Sequence, residues 1–296
     1  MDDGSNWLLE LEEALLDELP PDQIKVLLAG RSLPSSLRSD VWSHCLQIAG
    51  RKNKIEKFDE IYDHPEQGEI RKAAQHMVES LNREEEKFQL QAEAEAILTV
   101  YFKSPQEQTF SSDTASLLRP IVGLSLSKSE KWSIFQTVQD KFIPRSGSMD
   151  AVYDLSRLLL LYHDPQLCNH LDSLKIGFHQ FSQSWFTSLM SAVCEAEVTV
   201  QLWDLYIVHS DPWIIFFMVT VMLVNFRDTI LEVGNDRAEL LARLSRLPGQ
   251  IEAEDIPDLF TLAQVYSSRT PTSYKNSFHQ TLFVQPSEEV NKKVTH

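Results

Sequence analysis

Helical periodicity without sheet periodicity is the feature that most constrains this chain. Apolar residues recur at spacings of three and four along most of its length, and alternating apolar and polar runs are few. Only 9 glycines occur in 296 residues, so the turns of a strand-rich fold lack their usual residue. The pattern predicts an all-α chain with almost no sheet. Leu8, Leu11, Leu15 and Leu19 share one helical face with acids opposite. Pro20-Pro21 stops that helix, and Asp22 is expected to cap the next, which Gly30 ends. Ser35 or Ser36 is expected to cap a third helix whose Leu37, Val41, Cys45 and Ile48 face inward, up to a left-handed stop at Gly50.

Between 66 and 103 the spacing predicts two helices interrupted near Asn82, the first striped by Ile70, Ala74, Met77 and Leu81. Further helices are expected over 117–122, 132–142, 152–162, 185–193, 198–208, 213–226, 237–247 and 256–266. Pro144, Pro165, Pro212, Pro248 and Pro271 mark the connections. The apolar run 213–226 falls short of the roughly 20 residues that span a bilayer and reads as a buried core helix. Little apolar periodicity follows Pro271. The expected division is therefore one domain over 1–273, including an acidic N-terminal helix, and a flexible tail or cut linker over 274–296.

Charge narrows the function classes. With 27 basic against 43 acidic residues the net charge is −16, which disfavours a binder of nucleic-acid phosphates or anionic lipid. Eight acids precede the first base, Lys25, so that end would attract a basic peptide. Cys45, Cys168 and Cys194 are too few and too far apart for a disulfide framework and suggest a reducing compartment. Asp2-Asp3 directly after Met1 does not read as a secretory leader.

The glycine-rich and nucleophile motifs of serine hydrolases, dinucleotide binders and phosphate-binding loops are absent from the sequence. His163, Cys168 and His170 lack a paired spacing and a fourth ligand, and read as ordinary helix-end residues; no metal or cofactor is expected. Glu84-Glu85-Glu86 lies in a charge run and reads as a solvated face rather than a general acid.

Two sequence words carry more. Pro34, Leu37, Arg38, Val41 and Trp42, within 32–42, resemble the opening signature of the TBC domain, the fold of Rab GTPase activators, with Ser32 at its usual glycine. Trp185, Phe186 and Leu189, followed by Leu202, Trp203 and Asp204, resemble that family's second landmark. The resemblance implies a two-lobed helical TBC-type domain. The tryptophans are expected to be core anchors, and Arg38 and Asp204 structural polar partners at helix ends.

The resemblance also implies a pair of catalytic fingers in active members. An arginine from an Ile-x-x-Asp-x-x-Arg helix stabilises charge on the γ-phosphoryl group, and a glutamine from a Tyr-x-Gln turn orients water. The helix matches from Ile70, but Ala73 stands at the aspartate and His76 at the arginine. Arg71 lies five positions earlier, about 140° round the helix. The turn matches Phe110-Ser111-Ser112, leaving Ser112 at the glutamine, with Gln106 and Gln108 upstream. The wording at 30–34, 46–50, 63–67 and 255–260 resembles a catalytically inert branch of the family. That resemblance implies an adaptor binding the N-terminal tips of trans-Golgi golgins and acting in endosome-to-Golgi transport, with a Rab GTPase as a further partner. It further implies rhodanese-like and pleckstrin-homology-type domains beyond this chain, which would make the chain a fragment, a short isoform or a truncated relative.

Overall fold

The computed structural model describes residues 3–48, 54–79, 81, 85–104, 109–144 and 149–283. These residues form seventeen α-helices and a few short 3-10 turns, with no strand among them. The scarcity of alternating runs has its direct consequence here.

An N-terminal hairpin of α1 (Asp3–Leu16) and α2 (Pro21–Leu27) is followed by α3 (Arg38–Cys45). Pro20 itself is the residue before α2, Pro21 fills the first position, and Asp22 sits in the first turn without capping it. Neither Ser35 nor Ser36 caps α3: Leu37 holds that place, after a turn closed by its own N–H on the Pro34 carbonyl at 3.1 Å. Gly30, at φ 69°, supplies the left-handed residue beyond α2. Gly50 and Asn82 lie outside the described residues.

The next group contains α4 (Gln67–Glu79), α5 (Lys87–Phe102), α6 (Ser112–Ser116), α7 (Arg119–Val122) and α8 (Lys128–Phe142). Ile70, Ala74, Met77 and Val78 form the buried stripe of α4, which packs along α5. Ser127 and Glu130 form a reciprocal cap at the start of α8. The second group contains α9 (Met149–His163), α10 (Pro165–Ser173), α11 (Gln183–Thr187), α12 (Ala196–His209), α13 (Ile214–Asn225), α14 (Arg227–Glu232), α15 (Arg237–Arg246), α16 (Ile256–Arg269) and α17 (Thr272–Phe283). At its centre is α13, where every residue from Ile214 to Leu223 is buried against α9 and α16. This is the buried helix expected over 213–226.

Three elements differ from the sequence pattern. Pro165 opens α10 instead of marking a connection, because Asp164 caps that helix by accepting from the Leu167 N–H at 2.9 Å. The helix expected over 185–193 ends at Thr187, since Leu189 and Met190 take φ of 48° and 68°. The indole N–H of Trp203 donates to the Leu189 carbonyl at 3.1 Å and so occupies an acceptor that a continued helix would use. Finally, the tail expected after Pro271 is helical as far as Phe283. There α17 packs against α9, Leu282 is fully buried, and Trp213 meets Phe283 edge to face with ring centroids 4.9 Å apart. Residues 284–296 lie outside the description.

Candidate functional site

The two sequence landmarks are held together by one carboxylate. Arg38, the first residue of α3, donates from Nε to Asp204 Oδ1 at 2.9 Å and from its terminal nitrogen to Oδ2 at 3.0 Å. Trp42, one turn further along α3, donates its indole N–H to the same Oδ1 at 2.8 Å. Trp42 and Trp203 pack with ring centroids 5.9 Å apart. Burial pushes the Asp204 carboxyl above its ordinary range, while the Arg38 and Trp42 donors pull the other way. Arg38 and Asp204 are thus structural partners, but Asp204 lies inside α12 and not at a helix end. Val41, Trp42, Trp185, Phe186, Leu189 and Trp203 are all buried, with Phe186 against Phe216 at 5.2 Å; Pro34 and Leu37 are half-buried.

The positions that the resemblance assigns to the fingers lie on neighbouring elements, α4 and α6. The Glu66 carboxylate, at the entry to α4, accepts from the Phe110 N–H at 2.8 Å, and the Phe110 ring packs on Phe102 at 5.3 Å. Ser111 caps α6 by accepting from the Thr114 N–H at 3.3 Å. Asp113 ties α6 to α11 by accepting from the Ser184 and Thr187 hydroxyls at 2.9 and 2.7 Å. This framework presents Ser112 at the exposed start of α6. On α4 Ala73 is half-buried, and the His76 side chain is 88% exposed with its Nδ1 3.5 Å from Glu79.

Arg71 turns away from His76, toward α5. Its Nε lies 3.1 Å from Glu95 Oε1, which also accepts from the Gln67 amide at 2.8 Å; Gln67 donates as well to Thr99 at 3.0 Å. Gln106 and Gln108 lie outside the described residues. Glu95 and Glu66 were not singled out from the sequence. For Glu95 a signal exists: one acid inside the apolar run 94–98 must be paired if that face is buried.

His163 and Cys168 are engaged separately. His163 stacks on Tyr266 at 4.3 Å and pairs with the Thr270 hydroxyl at 2.8 Å, while the Cys168 thiol faces the Arg157 carbonyl. Among the described residues no three His, Cys, Asp or Glu side chains gather as a metal site would require. Also among the described residues, no helix is long and apolar enough to cross a membrane.

The all-helical scaffold, with its two landmarks joined through Asp204 and α4 beside α6, is a TBC-type fold. The profile of the Rab-GTPase-TBC domain matches residues 35–231, and the chain belongs to that family. It is similar to the flagellar RabGAP TBC domain of Chlamydomonas, with a TM-score of 0.66 and 16% identity, over 86% of this chain and 90% of that one. It is likewise similar to the Ypt/Rab-GAP domain of Gyp1p, with a TM-score of 0.62 and 16% identity, over 89% and 98%. A TBC domain-containing protein kinase-like protein of Dictyostelium discoideum is 26% identical over 94 residues. That stretch is 31% of this chain and 9% of the relative's length.

Proposed function

We propose that this chain is a non-catalytic TBC-domain interaction module, an adaptor between trans-Golgi golgins and endosome-derived vesicles. The observation that carries the proposal is the pair of side chains at the finger positions, His76 on α4 and Ser112 on α6, with Ala73 at the supporting aspartate. An imidazole lacks the permanently charged, planar fork of a guanidinium. Removing an arginine finger costs about 10³ to 10⁵ in rate. Arg71, the nearest substitute in sequence, is engaged by Glu95.

The sequence wording resembles TBC domain family member twenty-three, from which the golgin tip is taken as partner. The N-terminal hairpin suits such a peptide. Leu9 and Leu16, seven residues apart on one face of α1, are 57% and 83% exposed, and Val26 on α2 is 71% exposed. Glu10, Glu12, Glu13 and Asp17 surround them, a pattern that would receive a basic amphipathic helix. Through such partners the chain would sit peripherally at the trans-Golgi network or on vesicles.

GTP hydrolysis measured across a Rab panel, alongside calorimetric titration with golgin-tip peptides at two salt concentrations, tests the proposal. The expected outcome is no acceleration with any Rab and peptide binding that weakens, without vanishing, as salt rises. Acceleration approaching about 10³-fold would make the chain an active Rab GTPase-activating protein working through Arg71, Gln106 or Gln108. Rab binding with neither turnover nor peptide binding would make it a Rab effector.

A further inference from the structure

The chain is strongly acidic, yet one of its grooves is net positive. It runs along α16, with α2 and the C-terminal half of α12 on one side and the start of α17 on the other. Two adjoining cavities of about 310 and 350 Å³ make it up, and both are bounded by Lys25, His209, Phe260 and Gln264. The floor is apolar, formed by Leu28, Leu205, Val208 and Phe260. The walls carry three cations in sequence: Arg31 beside the first cavity, Lys25 where the two meet, and Lys275 beside the second.

None of those three has a carboxylate partner among the described residues. Arg31 lies over the Trp7 ring and donates to the Leu27 carbonyl at 2.7 Å, while Lys275 lies over the Phe217 ring and donates to the Ser267 hydroxyl at 2.9 Å. Two acids line the groove, and one of them is neutralised by an ion pair. Asp204 is taken by Arg38 and Trp42, and Asp211 accepts from the Trp213 N–H at 2.9 Å. The field of Lys25 reaches His209, whose imidazole is pushed down to about 4 by burial and then by that charge. Three unpaired cations against the single unpaired carboxylate of Asp211 leave this cleft net positive on a chain of net charge −16.

We propose that this groove docks a short acidic amphipathic segment of a partner protein, its apolar side chains on the Phe260 floor and its carboxylates on Arg31, Lys25 and Lys275. The charge complementarity runs opposite to that of the acid-fringed face of α1. The groove is thus a second site, whose occupant differs in charge from a golgin tip, and it does not depend on the adaptor role. At 14 residues, α16 extends about 21 Å, matching a partner helix of about four turns.

Fluorescence anisotropy of the full chain with a labelled peptide tests this. The probe is about 14 residues long, with Leu at helical spacing and Glu on the flanks, and its twin has Lys for every Glu. The acidic probe is expected to bind and the lysine twin not to. Lys25→Glu combined with Lys275→Glu is expected to weaken the acidic probe by about tenfold or more, and Gln264→Trp, which fills the groove from an exposed position, to do the same. Leu9→Asp with Leu16→Asp is expected to leave the acidic probe unaffected while abolishing golgin-tip binding, so the two sites fail separately. Should the double charge reversal not fold by circular dichroism, the Gln264→Trp result decides. Equal binding of both probes, no binding of the acidic probe, or insensitivity to the groove variants overturns the proposal. So does flotation with phosphatidylserine vesicles that the charge reversal abolishes, when the acidic peptide does not compete.

Discussion

Asp204 is the residue on which the most depends. Its carboxylate joins Arg38, Trp42 and α12, and replacing it leaves a largely buried guanidinium and an indole N–H without their acceptor. Asp204→Ala is therefore expected to destabilise by about 3–5 kcal/mol, measured by denaturant unfolding. Trp203→Ala should cost a similar ~3–5 kcal/mol through a core cavity, and Glu85→Ala, on the exposed surface, should stay within about 0.5 kcal/mol. The thiols make a different residue-level test. Burial pushes Cys45 to about 11 and Cys194 to about 12, and raises Cys168 as well. All three cysteines are buried, so native protein at neutral pH should resist iodoacetamide and unfolded protein should react at each, as read by mass spectrometry.

At the scale of elements, α17 makes the sharpest prediction. It packs on α9, where Tyr274 meets Tyr162 at 5.7 Å, buries Leu282 fully and sets Phe283 against Trp213 and Phe216. Leu282→Ala should cost about 2–5 kcal/mol by the cavity it leaves. A chain ending at Pro271 should melt at lower temperature and be cleaved faster by protease within α9 and α13, because their apolar surface would be uncovered. Apolar spacing alone did not find this helix. Its apolar stripe is sparse, Tyr274, Phe278 and Leu282 at four-residue spacing; only Leu282 is fully buried, and Lys, Asn, Ser, His, Gln and Thr fill the positions between. The break after α11 was equally hidden, since two left-handed residues, Leu189 and Met190, carry no sequence mark of that conformation.

For the whole molecule, pH tests the fold. His209 falls to about 4 in the folded state against 6.5 for the free side chain, and His163 is lowered in the same direction, by burial and then by Arg269. The unfolded chain then binds more protons than the folded one between those values. Stability contributed by these groups is complete above about 6.5 and is lost as pH falls toward about 4. Urea midpoints should accordingly decrease from about pH 7 to about pH 5. His209→Gln should flatten part of that decline; an unchanged slope would show that other groups carry it.

The sequence by itself determined that the chain is helical, that 213–226 holds a buried core helix, and that it carries the TBC landmarks. Periodicity and bulky aromatic spacing are local properties, and a helix buries whichever face is apolar regardless of its partner. Tertiary structure alone decided that Arg38 and Asp204 meet, 166 positions apart, and that Arg71 is turned to Glu95. It also decided that Lys25, Arg31 and Lys275, unremarkable in a chain of net charge −16, line one groove. A composition sums charge over the whole surface, whereas a partner meets only the charges that folding has brought to one cleft.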